Sequence, residues 1–102
     1  MKIECWDVIT NGPFTEKAAL ATLEECGCIV TRCEYPAGVF LPERIHDMDK
    51  VIAIISGRLR VEASEWEAVM EKGFLVHIPR RRVYSVRAVG DDPVVCFDGA
   101  KC

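Results

Sequence analysis

The chain has 102 residues, half of them hydrophobic and 28% charged, with 13 Lys and Arg against 16 Asp and Glu for a net charge of −3. That length fits one domain with one core, and the apolar runs are too short to span a bilayer. The acidic balance argues against a general electrostatic grip on nucleic acid, which needs clustered Lys and Arg, and only Arg80, Arg81 and Arg82 form a basic run.

The start, MKIECWDVIT, lacks the long apolar segment and small-residue cleavage site of a secretory signal, which predicts a cytoplasmic location. The six cysteines are then read as thiols rather than disulfides. Ile3 to Val8 alternates in type and carries Trp6, so a short leading strand is predicted there, broken by Asn11-Gly12-Pro13. Thr15 suits an N-cap, Glu16 sits where the helix dipole favours an acid, and Ala18 to Leu23 favours helix. A helix is therefore predicted over 16–26, stopped by Gly27 in the left-handed conformation. Ala19, Leu20 and Leu23 share one of its faces, so it packs on the rest of the domain.

From Cys28 the period becomes strand-like. Strands are predicted over 28–35, 50–56, 58–62, 66–70, 74–78, 83–89 and 94–97, separated by turns at Pro36-Ala37-Gly38, 63–65, 71–73, 79–82 and Gly90-Asp91-Asp92-Pro93. Many short strands with no helix after Gly27 predict an all-β sandwich or closed barrel. The chain thus reads as a single domain, 1–102, with residues 1–27 as an extension and 28–102 as the barrel.

Gly38, Pro42, His46, Gly57, Gly73, Pro79 and the ending from Gly90 to Phe97 fall at the spacings of the two cupin motifs, so the chain resembles the cupin family. The resemblance implies a double-sheet jelly roll, a double-stranded β-helix of RmlC-like type. The arrangement His46-x-x-x-Lys50 and the closing GDDPVV narrow it to a group of small, single-domain bacterial cupins in which a lysine commonly replaces the acidic ligand. Carried over position by position, the family's first histidine falls on Arg44, the second on His46, the acid on Lys50 and the third histidine on Tyr84.

Arginine cannot lose its proton in a protein, and lysine does so only when strongly perturbed, so neither offers a transition metal a lone pair. His46 and Tyr84 leave at most two donors where three or four must converge, which predicts no cofactor, with divalent metal weak or absent. If Arg44, His46 and Lys50 point inward together, as side chains two and four apart do along a strand, two cations stand where the metal would be. They need a counter-charge: nearby Glu43, Asp47 or Asp49, or an anionic ligand. The leading expectation is a small carboxylate or phosphate metabolite gripped by Arg44 and Lys50, with His46 and Tyr84 as hydrogen-bond partners, in a regulatory or accessory role. The alternatives are a metal-independent isomerase or epimerase using His46 and Tyr84 as acid and base, a weak metal-dependent enzyme, and a structural or interaction-only barrel.

The other noticeable residues have plainer readings. His46 also fits a histidine simply hydrogen-bonded at the barrel mouth, and Arg44 and Lys50 point outward if the register slips by one. His77, before a proline in an apolar strand, reads as a core or interface histidine. Cys26, Cys28 and Cys33 lack a fourth ligand and do not converge, and with Cys96 they read as inert thiols; Cys102 reads as exposed. The arginine run fits a solvated turn, or a device that steers anions. Trp6, Trp66 and Phe40 fit core or interface, and exposed sheet edges predict a homodimer.

Overall fold

The computed structural model describes residues 1–101; the expectation for Cys102 lies outside them. In chain order the elements are β1 (Lys2–Cys5), α1 (Val8–Asn11), α2 (Glu16–Glu25), β2 (Ile29–Tyr35), β3 (Phe40–Arg44), β4 (Asp49–Ser56), β5 (Arg58–Ala63), β6 (Trp66–Met70), β7 (Phe74–Ile78), β8 (Tyr84–Val89) and β9 (Val94–Lys101). They build two antiparallel sheets: a five-stranded sheet A in the order β1-β7-β4-β9-β2, and a four-stranded sheet B in the order β3-β8-β5-β6. Among the described residues no helix is long and apolar enough to cross a membrane.

The centre of sheet A is buried on both faces, and β4 shows how. Its run Val51-Ile52-Ala53-Ile54 is buried throughout, whereas a strand with one wet face would alternate with polar residues. Ile52 and Ile54 point between the sheets, where they meet Leu59, Val61, Met70, Val76, Ile78 and Val94 in the main core. Val51 and Ala53 point the other way, beneath α2, and pack with Leu75, Phe97, Ala19 and Leu23. The helix is set there by its ends. Thr15 Oγ1 accepts from the Ala18 amide at 3.0 Å, and Gly27, at φ 87°, releases the chain into β2.

The N-terminal segment departs from the sequence expectation. The leading strand stops at Cys5 because Asp7 becomes an N-cap, accepting from the Ile9 amide at 2.9 Å, and residues 8–11 turn into the short helix α1. A capped turn outcompetes three more residues of an edge strand because the Asp side chain offers the backbone an immediate partner. Trp6 pins this turn: its indole N–H donates to the Gly12 carbonyl at 2.9 Å, and its ring meets Phe14 edge-on at 5.2 Å. At the other end β9 runs to Lys101, four residues beyond the predicted stop.

One turn shows how little slack the barrel has. Gly57, between β4 and β5, has φ 76°, and a Cβ there would collide with the Pro93 carbonyl oxygen of the neighbouring turn. Gly57→Ala must therefore both adopt a disfavoured backbone and displace rigid main chain. It should lower stability by about 2 kcal/mol or more, read as a drop in the urea midpoint; an unchanged midpoint would refute this packing of the two turns.

Candidate functional site

The mouth of the barrel is assembled from three places. Arg44 ends β3, opposite Tyr84 at the start of β8. It faces inward because of an irregularity: Leu41 pairs with Val86 and Arg44 with Tyr84, so three steps along β3 match two along β8. Such a bulge, with Pro42 inside it, returns Arg44 to the inner side on which Leu41 packs against the core. Simple alternation would have separated them. His46 lies beyond the strand, in the β3–β4 loop, so strand alternation cannot relate it to Arg44 and Lys50 as the sequence reasoning assumed. The loop is held by the Arg81 amide, which donates to the His46 carbonyl at 2.7 Å.

Lys50 is two residues from Ile52 and shares its inward direction. Its ammonium is 2.8 Å from Asp98 Oδ1, and both side chains are about 15% exposed or less. Asp98 stands opposite Ile52 on β9. The counter-charge is therefore none of the acids near in sequence. Asp49 accepts from the Arg80 amide at 2.8 Å and Asp47 meets the Arg81 guanidinium at 2.7 Å, both at the surface, while Glu43 forms no ion pair among the described residues. Asp98 Oδ1 is enclosed and makes no well-aligned hydrogen bond, so the Lys50 contact is an attraction of charges more than an aligned bond.

Tyr84 is 3% exposed, and its hydroxyl lies 2.9 Å from His46 Nε2. Burial pushes the phenol up to about 12, against the pull of the nearby Arg44 charge. His46 is held below its ordinary value, first by desolvation and then by the Lys50 and Arg44 charges, so near neutrality its ring is uncharged. A neutral imidazole has one donor and one acceptor nitrogen, so either group can donate in the His46–Tyr84 bond.

Arg44, Tyr84, Tyr35, Cys96 and Asp98 line an interior cavity of only about 10 Å3, room for roughly one water. A water there would supply the hydrogen bond that Asp98 Oδ1 lacks. Ile52, Leu59 and Val86 of the main core close the cavity on its other sides. Burial also raises the Tyr35 phenol and lifts the Cys96 thiol to about 12, so neither is ionised near neutrality.

The remaining candidates disperse. Cys28 packs under α2 on the outer face, Cys33 packs toward the main core and Cys26 is exposed; among the described residues no three His, Cys, Asp or Glu side chains gather to hold a metal. His77 is not a core residue: it is partly exposed and binds Glu4 on β1 through Nε2. The arginine run is tied down, with Arg80 on Asp49, Arg81 on Asp47 and Arg82 on the Ser64 carbonyl. Phe40 is exposed beneath the Arg87 guanidinium, 4.4 Å from its ring centre.

Comparison with known proteins places this architecture. A search of curated protein sequences finds no match. Among solved structures, the cupin domain of Cnp3 from Schizosaccharomyces pombe superposes with a TM-score of 0.64 at 23% identity, covering 72% of this chain and 52% of that one. The chain thus spans about half the length of that structure. An RmlC-like cupin with a double-stranded β-helix fold from Methanocaldococcus jannaschii gives 0.65 at 15% identity, covering 71% and 67%. The DMSP lyase DddQ from Ruegeria pomeroyi gives 0.68 at 17% identity, covering 74% and 38%. At these identities the likeness is one of fold. The family model described as "Cupin domain" matches residues 31–99, more than half the sequence and nearly all of both sheets, and the chain belongs to the cupin family.

Proposed function

We propose that this cupin binds one small anionic group, a carboxylate or a phosphate, at the mouth of its barrel, without a tightly bound transition metal and in an accessory or regulatory role. The observation that carries the reading is a charge count. Arg44 and Lys50 are cations, Asp98 is the one acid among them, and His46 is neutral, so the mouth carries one net positive charge. Among the described residues no acid forms an ion pair with Arg44, whose planar fork suits a carboxylate or phosphate. The cavity below accommodates a water and little else, so the anionic group would sit at the mouth with the rest of the ligand outside.

The donor chemistry does not suit a transition metal. A fixed guanidinium and a paired ammonium occupy two ligand positions, and a phenol at about 12 occupies a third. The 2.9 Å contact favours a second reading, in which His46 and Tyr84 move a proton in a metal-free isomerisation. Against it, a phenol that far above neutrality releases its proton reluctantly.

Two expected outcomes test the proposal. Protein purified without chelator should hold substoichiometric transition metal, and its thermal midpoint should rise with some member of a panel of carboxylates and phosphate monoesters. At 100 times Kd the rise should be at least about 10 °C, and Arg44→Ala should abolish it. Stoichiometric metal, or a rise that survives Arg44→Ala, would overturn the reading. Asp98→Asn separates charge from packing: removing the one acid should tighten binding of the same anion while costing about 2 kcal/mol of stability through the stranded Lys50 ammonium. Weaker binding in that variant would show that Asp98 belongs to the ligand site itself.

A further inference from the structure

A ligand-sized concavity lies outside the barrel. On the outer face of sheet A lies a groove of about 390 Å3, within the range of small-molecule sites and far larger than the 10 Å3 inside the barrel. Its floor is Val51 on β4 and Leu75 on β7; α2 forms one wall at Thr22 and Cys26, and Trp6 stands on the other. The wall carrying Trp6 is fixed by the indole bond to Gly12 and the edge-on contact with Phe14, so the groove is a built space between braced elements.

Beside Val51 and Leu75 on this floor stands His77, while Lys50, also at the groove, turns its ammonium to Asp98. His77 is two residues from Leu75 and directly opposite Val51, so it shares their outward direction. Its Nε2 is engaged by the Glu4 carboxylate. A carboxylate only accepts, so Nε2 must carry the proton; in the neutral ring Nδ1 then presents a lone pair, and a carboxylate bound behind the ring fixes that orientation. Among the described residues nothing bonds Nδ1. The charged groups lining the groove already have opposite charges beside them: Glu4 has His77, Asp49 has Arg80, Lys50 has Asp98, and Lys101 stands opposite Asp49 in the β4–β9 register. A charged ligand would have to compete with these pairs. An uncharged one would not.

We infer that this groove is a second ligand site, taking a small, uncharged, mainly apolar molecule of aromatic size whose single hydrogen-bond donor is accepted by His77 Nδ1. The inference does not rest on the barrel mouth: Lys50 borders both places, but its ammonium is held by Asp98, and Arg44, His46 and Tyr84 do not line the groove.

Indole is a suitable probe: uncharged, aromatic, with one N–H. Titrated into ¹⁵N-labelled protein, it should shift the amides of Thr22, Val51, Leu75 and His77 saturably. Benzothiophene has the same shape without the N–H and should bind roughly two- to tenfold more weakly, the effect of one hydrogen bond. Thr22→Trp, at a partly exposed helix position, should fill the groove and remove the response while the rest of the spectrum stays in place. Arg44→Ala should leave indole binding unchanged. Shifts that do not saturate, that survive Thr22→Trp, or that benzothiophene matches in strength would overturn the assignment. So would groove amides that move with protein concentration alone, which would make the groove a contact between copies of the chain.

Discussion

The two-residue period of β4 governs both places where this protein has room for chemistry. Because consecutive side chains point to opposite faces, Lys50, Ile52 and Ile54 serve the barrel while Val51 and Ala53 serve the layer beneath α2. A strand buried on both sides tolerates a charge only where the neighbouring strand neutralises it. Asp98 on β9 does this for Lys50, and the register that places Asp98 opposite Ile52 also places Val51 beneath the helix. Slipping β4 by one residue would bury Val51 in the barrel and expose Lys50 to the wrong face, so fold and mouth are specified together.

At the mouth, the cupin frame carries an unusual set of side chains. Where metal-binding cupins use neutral or anionic donors, this chain places two cations, one carboxylate and a histidine that desolvation keeps neutral. The bulge in β3 matters as much as the residue types, since without the extra residue Arg44 would lie on the face opposite Leu41. The interior cavity, about 10 Å3, has room for roughly one water.

Much of the fold was legible in the sequence, because glycine and proline punctuate the strands and the apolar run of β4 has one natural reading. Helix α2 was legible through Thr15 and Gly27, whose end chemistry is local. Helix α1 was not: Asp7 looked like one more residue of an alternating strand, and only its bond to the Ile9 amide shows it capping a turn. The end of β9 was missed because Asp98 and Gly99 are poor strand formers, accepted here because β4 and β2 pair with both sides of the strand. The same miss hid the counter-charge. Asp98 is remote from Lys50 in sequence, so local acids drew attention that tertiary register gives to a distant one. His77 and Glu4 show the same limit, since their contact joins opposite ends of the chain.

The central claim is that the mouth is cationic and not metallated, and His46 is the group in it that reports local charge near neutrality. Its folded-state value lies below the ordinary 6.5, so the neutral ring is the favoured form; stability attached to it is complete above 6.5 and is lost as pH falls toward the folded value. An anion bound beside it must raise that value, because the anion stabilises the imidazolium. Titrating His46 by NMR, free and with saturating anionic ligand, tests this most directly. The account predicts a midpoint below 6.5 in the free protein that climbs when the anion binds. A free midpoint at or above 6.5, or one that the bound anion leaves unmoved, would contradict it.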